Sequence, residues 1–301
     1  MTAARPPLWP RPGQAVALAA PAGAVDPQAL EAGLALLKGL LPGVELLAGP
    51  ELLDRQGYLA GTDASRAEHL TRLMLSPAAG AVLSARGGYG CSRLLPLLDL
   101  EALAASRKLL VGFSDLTCLL NALASRGLVT AHGPMAVRLA ATDQASLDDL
   151  AGLLAGRLPW PALFAGRPLA PGRARGPLMG GNLTLFCHLL GTPWFPELTG
   201  AVLFLEELGE PAYRLDRCFT QLILAGVFER VVGVALGSLS EQAEDPPELL
   251  ETAVERLSGL GLPVVTGLPF GHGPLNRPLP LGALAELDGQ AGTFAVGLDL
   301  A

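Results

Sequence analysis

The chain has 301 residues, half of them hydrophobic and 16% charged, with a formal net charge of −7. That much apolar content with so little charge excludes a disordered chain, and the length allows one large domain or two ordinary ones. An acidic balance without a basic stripe speaks against a nucleic-acid partner, and no apolar run approaches the ~20 residues that a membrane-spanning helix needs.

The N-terminal apolar stretch is short and broken by Pro and Gly, so it reads as a first strand, AVALAAP, and not as a signal peptide. PQALEAGLALLKGL follows with helical spacing, and SRAEHLTRLML is a second helix. AGAVLSA is a buried strand that ends at the glycines of RGGYG. CSRLLPLLDLEALAAS reads as helix, KLLVGF as strand, LTCLLNALASRG as helix and LVTAHGP as strand. Alternation of this kind predicts an α/β domain built on a parallel sheet. From about Pro159 to Asn182 the alternation fails in a stretch rich in Pro, Gly and Arg. Residues 159–182 are therefore expected to link an N-terminal α/β domain over 1–158 to a smaller C-terminal α/β domain over 183–301. In that second part LTLFCHLL, RLDRCFTQLILAG and PELLETAVERLSGL read as helices, and GAVLFLEE, RVVGVALGSL and VVTGLPFG as strands. Asp288-Gly289 marks a closing hairpin.

Cys91, Cys118, Cys187 and Cys218 are far apart without C-x-x-C spacing, as expected of free thiols in a reducing compartment. The four histidines form no zinc-binding spacing, so no metal is expected.

Four motifs stand at predicted strand ends. Gly112-Phe113-Ser114-Asp115 places a serine between strand and helix, where helix N–H groups can stabilise an oxyanion. Leu116 replaces the second glycine of G-x-S-x-G, and Ser114 or Asp115 equally suits a helix N-cap. Arg86-Gly87-Gly88-Tyr89-Gly90 has three glycines in four positions and can present backbone N–H groups. It fits an oxyanion loop or a tight turn. A dinucleotide fingerprint fails at Arg93. Glu206 directly follows the apolar run Val202–Leu205, where α/β sheets place ligands, whereas Glu207 and Glu210 fit solvated loop acids. Pro269-Phe270-Gly271-His272-Gly273-Pro274 supplies a histidine between glycines. A second His-Gly-Pro at His132 makes two candidate bases, and spacing does not choose between them. Together these motifs offer a nucleophile, an acid, a base and a donor loop in the order Ser…Glu…His.

The stretches AAPAGAVDP, YLAGTDASRAEHL, ARGGYGCSRLLPLLD, LLVGFSDLT, LVTAHGPM, GGNL, LFLEELGEPAYRLDR and PFGHGPLNRPLPLG cover nearly the whole chain in order. In them the chain resembles the LD-carboxypeptidase family of serine peptidases. The resemblance implies a Rossmann/flavodoxin-like N-terminal domain and a smaller C-terminal one. It implies a cytoplasmic, metal- and cofactor-free homodimer that cleaves the L,D bond before the terminal D-alanine of a muropeptide. Carried over by motif, it makes Ser114 the nucleophile, Glu206 the acid and His272, not His132, the base. The oxyanion donors would be the N–H of Asp115 and of Gly88, with Gly87 close behind. Arg86 is a candidate for binding the substrate carboxylate, with a salt bridge inside the domain as the alternative. A related reading resembles the microcin self-immunity peptidases, which would need an aromatic platform such as Trp160 or Trp194. A non-catalytic ligand-binding module is the alternative from another class.

Overall fold

The computed structural model describes residues 5–8, 10, 11, 13–156 and 162–297. The first part alternates strand and helix. Its elements are β1 (Ala15–Ala19), α1 (Pro27–Leu40), β2 (Leu46–Leu47), α2 (Asp63–Leu75), β3 (Ala79–Ser84), α3 (Leu100–Ala105), β4 (Leu109–Gly112), α4 (Thr117–Ala124), β5 (Thr130–His132) and α5 (Gln144–Leu154). The second part holds β6 (Ala162–Ala165), β7 (Arg167–Ala170), β8 (Arg173–Asn182), α6 (Leu183–His188), β9 (Val202–Glu206), α7 (Ala212–Leu224), β10 (Gly233–Leu236), α8 (Pro247–Leu257), β11 (Val264–Thr266), β12 (Leu279–Leu281), β13 (Leu284–Asp288) and β14 (Thr293–Gly297).

β1 to β5 form a parallel sheet in the order 2-1-3-4-5, the flavodoxin-like arrangement, with β12 added antiparallel beside β5. Strand alternation explains why both faces are covered. Val16 and Leu18 face the layer of α1 and α5, while Ala17 and Ala19 face α2, α3 and α4. Helix starts follow local chemistry, as at α1, where the Asp26 carboxylate accepts from Ala29 N at 2.8 Å and Pro27 occupies the first turn. The single helix expected over CSRLLPLLDLEALAAS is split instead. Pro96 lies in a 3-10 run, Cys91–Leu97, and Asp99 caps a fresh start at α3.

The second sheet has eight strands in the order β6-β14-β13-β8-β9-β10-β11-β7. The stretch expected to be a linker therefore contains three of its strands, and residues 159–161 lie outside the described set. Composition misleads here because glycine and proline have other uses. Pro168 sits on edge strand β7, where a missing N–H is tolerated. Gly176 and Gly180 are close approaches, since a Cβ would overlap the carbonyl oxygens of Gly200 and Phe204. β8 is the spine of the sheet. Its first half pairs antiparallel with β13, and its second half pairs parallel with β9, ending at the register Asn182↔Glu206.

The two sheets share one apolar cluster, which runs from Leu110 and Leu119 through Leu178 and Phe204 to Phe219 and Leu257. They also share polar links. Asn121 in α4 donates Nδ2 to Gly180 O (2.7 Å) and accepts from Gly180 N at Oδ1 (3.1 Å). Thr117 Oγ1 accepts from Asn182 N at 3.0 Å. Asn121→Ala should strand both backbone groups of Gly180 in the core, a cost of about 2–4 kcal/mol. Denaturant unfolding of that variant checks the expectation, and a change below about 0.5 kcal/mol contradicts it.

Candidate active site

β4 ends at Gly112, where a Cβ would crowd Leu116. After it Ser114 adopts a φ of 60°, in the left-handed region that costs a non-glycine residue on the order of 1–2 kcal/mol. Neither the 3-10 turn Ser114–Leu116 nor α4 receives a side-chain cap. Ser114 therefore stands at a strained elbow and does not cap a helix, although G-x-S-x-G is absent. Gly87 packs directly on it, since a Cβ there would lie 3.2 Å from Ser114 Oγ. Gly88, at φ 105°, turns against Gly23. No hydrogen bond among the described residues uses the N–H of Gly87 or Gly88. The Asp115 carboxylate accepts from Cys91 N at 2.8 Å, which ties the end of the glycine loop to the elbow. Burial pushes its pKa up.

Glu206, the last residue of β9, is fully buried, and its Oε2 accepts a 2.6 Å hydrogen bond from His272 Nδ1. With Nδ1 donating, Nε2 carries the lone pair that a general base needs. A Cβ at Gly271 would lie 3.1 Å from Glu206 Cβ and overlap Ser238 Oγ, so this glycine lets the histidine loop approach β9. The His272 ring packs at 4.7 Å from the ring of Phe113, the residue before Ser114. Burial disfavours the His272 cation, but the Glu206 carboxylate outweighs it, and the pKa rises above the ordinary 6.5. Burial likewise opposes the Glu206 charge, yet His272 brings its pKa below the ordinary carboxyl value.

His132 lies in the same region in a different state. It is fully buried among the rings of Phe113, Phe204 and Phe270, and among the described residues no partner meets hydrogen-bond geometry at either ring nitrogen, Asn276 being the polar side chain that acts on it. Desolvation pushes its pKa down to about 4. Glu207 departs from the expected solvated acid. It is buried and accepts from Thr184 N (2.8 Å), Leu208 N (2.8 Å) and Asn182 Nδ2 (3.1 Å), so it secures the start of α6. Glu210 behaves as expected, pairing with Arg214 at the surface. Arg86 is exposed, donates Nη1 to Ala24 O, and forms no ion pair among the described residues.

Trp194 packs partly buried against the core, and Trp160 lies outside the described residues. The four cysteines are free thiols. Among the described residues no three His, Cys, Asp or Glu side chains cluster as metal ligands, and no helix is long and apolar enough to cross a membrane. Sequence reasoning missed Arg138, which donates Nη2 to His272 O at 3.0 Å. It also missed Asn121, Thr117 and Asn182, although GGN was a visible signal for the last.

Two family models match the chain, the LD-carboxypeptidase N-terminal domain over 16–133 and the LD-carboxypeptidase C-terminal domain over 175–287. A Streptomyces coelicolor protein, SCO6489, whose carboxypeptidase name is itself provisional, is 45% identical over 95% of this chain and 94% of its own. The murein tetrapeptide carboxypeptidase of Pseudomonas aeruginosa is 38% identical over 91% and 93%. The microcin C7 self-immunity protein of Escherichia coli is 28% identical over 82% of each chain. The crystal structure of the muramoyltetrapeptide carboxypeptidase from Oxalobacter formigenes superposes with a TM-score of 0.83, at 30% identity over 94% of this chain and 99% of that one.

A base must be neutral to take a proton, so a raised His272 pKa moves the acid limb of a pH–rate profile upward. The limb of kcat/KM should fall above pH 6.5. In Glu206→Gln the principal raising charge is gone, and burial and the Arg138 charge, opposed only by Glu207, should move the limb to lower pH while kcat falls by about 10²-fold or more. A Glu206→Gln profile with an unmoved limb contradicts the pairing.

Proposed function

From the premise that the chain belongs to the LD-carboxypeptidase family, we propose that it is a serine-type LD-carboxypeptidase acting on cell-wall tetrapeptides. The observation that carries this reading is the buried 2.6 Å Glu206–His272 pair packed on the residue before a strained Ser114. His272 takes the Ser114 proton as the hydroxyl attacks the carbonyl of the L,D bond, then delivers it to the amine of the leaving D-alanine. Glu206 orients the ring and stabilises its cation. The N–H of Asp115 and of Gly88 or Gly87 receive the oxyanion. Water then hydrolyses the acyl-enzyme, again with His272 as base. Arg86, which has no acidic partner among the described residues, offers a charge for substrate at the rim of the glycine loop. In this reading the protein works in the cytoplasm, as a homodimer, on peptides recovered from the wall.

One observation favours the microcin-type alternative. Tyr58 and Tyr89 are exposed with ring centroids 6.0 Å apart, Tyr89 being in the glycine loop itself, and they offer a stacking surface to a nucleobase. Hydrolysis of an aminoacyl-nucleotide in preference to a tetrapeptide would select that alternative.

The primary test is mass spectrometry of a tetrapeptide muropeptide incubated with the protein, with release of D-alanine expected. Ser114→Ala should lower kcat by at least ~10³-fold and keep peptide affinity within a few-fold. Because the Ser114 hydroxyl caps no helix, its stability should stay within about 1 kcal/mol of the parent. His272→Ala should abolish turnover, while His132→Phe should leave it measurable. A Ser114→Ala protein that cleaves at close to the parent rate removes the serine from the mechanism.

A further inference from the structure

Arg138 stands in the 3-10 turn Ala136–Ala141 that follows β5. Its amide donates to Met135 O at 2.9 Å. The Met135 side chain borders the nucleophile, because a Cβ at Gly87 would sit 3.2 Å from both Met135 Cε and Ser114 Oγ. The Arg138 guanidinium is half-buried and donates one Nη2 bond, 3.0 Å, to the carbonyl of His272. Its positive charge acts on the His272 ring, lowering that ring's pKa against the pull of Glu206 and Glu207. No carboxylate among the described residues lies within ion-pair distance of it. The guanidinium thus keeps its charge unneutralised by any carboxylate among the described residues, where the His272 carbonyl is its hydrogen-bond partner.

We infer that Arg138 receives the free C-terminal carboxylate of the substrate and thereby makes the site a carboxypeptidase. The inference rests on the peptidase reading above and deepens it. His272 must protonate the leaving nitrogen, so that nitrogen lies at the imidazole. The carboxylate carbon of a terminal residue is about 2.5 Å from its own nitrogen by standard backbone geometry. The terminal carboxylate is therefore confined to the immediate surroundings of His272, where Arg138 is the cation anchored on His272 itself. A guanidinium has five N–H donors in a planar fork, and one bond to a carbonyl leaves donors for a carboxylate. Arg86 is the competing receiver, but its anchor is Ala24 O in the loop after β1, beside Gly23 and Gly88.

The experiment compares one tetrapeptide ending in D-alanine with the same peptide ending in D-alaninamide. The parent should cleave the acid with much the higher kcat/KM. Arg138→Gln should lower kcat/KM on the acid by about 100-fold, the scale of one lost charge-assisted pair, and change the amide only a few-fold. Arg138→Lys keeps the charge without the fork and should show an intermediate acid-to-amide ratio, which decides the matter if the glutamine variant fails to fold. Arg86→Gln should keep the parental ratio. Equal losses on acid and amide in Arg138→Gln, an unchanged ratio in Arg138→Lys, or loss of the ratio in Arg86→Gln would each overturn the assignment and leave the peptidase reading standing. A parent protein that releases neither D-alanine nor D-alaninamide overturns the peptidase reading, and this inference with it.

Discussion

The docking of α4 on the end of β8 is the constraint on which the rest of the site depends. α4 begins three residues after Ser114, and the last residue of β8 is in register with Glu206. Whatever fixes α4 against β8 therefore fixes Ser114 against Glu206. Asn121 grips both backbone groups of Gly180, and Thr117 Oγ1 receives Asn182 N. A Cβ at Gly181 would lie 2.6 Å from Thr117 Oγ1, so the contact is one that a larger residue could not make. Each bond is buried, so breaking it leaves backbone groups without water to replace the partner. Ser114 and Glu206, carried on different sheets, are thus held in one geometry.

His272 arrives by a different route, on a segment bonded to both sheets. Ser238 N donates to Phe270 O at 2.9 Å, and Arg277 pairs with Asp149 in α5. Asn276 N donates to Ser146 Oγ at 3.0 Å, and Asp143 N to Pro274 O at 3.1 Å. Leu279–Leu281 then closes the edge of the first sheet beside His132. The electrostatics follow from this enclosure. A carboxylate with no exposed surface is held ionised chiefly by the His272 imidazole, and breaking such a buried pair from either side is costly. The neighbouring His132, equally buried but without a carboxylate bonded to its ring, stays neutral because desolvation pushes its pKa down to about 4.

The alternation of strands and helices in the first half was legible because its main elements, β1, α1, α2, β3 and α4, are apolar or amphipathic runs bounded by turn residues, whereas the two-residue β2 left no signal. The second sheet was partly hidden. Proline and glycine in residues 159–182 have the composition of a linker whether they serve an edge strand, a close approach or a flexible chain, and only the partner strands distinguish these. β12 is three residues, too short for any period. Ser114, Glu206 and His272 were legible as strand-end residues, and the resemblance chose among the histidines. Spacing could not, because the choice rests on which His-Gly-Pro loop meets Glu206 across the sheet. Glu207 was misread because the sequence shows that it follows a strand but not that α6 begins within reach of its carboxylate. Arg138 carried no signal, since its role depends on the carbonyl of a residue 134 positions away.

A strained residue persists only when its surroundings over-determine it, and Ser114 meets that condition. Gly112 lets Leu116 fold back under the turn, and Gly87 lies against the serine side chain. Cys91 N holds the next residue's carboxylate in a site that otherwise disfavours its charge. Relaxing φ at Ser114 would have to move β4, the glycine loop or α4, and α4 is pinned through Asn121 and Thr117 to the strand that registers with Glu206. The local strain at Ser114 and the long-range bond between the sheets are therefore one mechanical system. Loosening the α4–β8 contact releases the elbow as well as displacing Glu206. It follows that the buried Asn121 amide governs the geometry of two of the three residues proposed for the triad, Ser114 and Glu206.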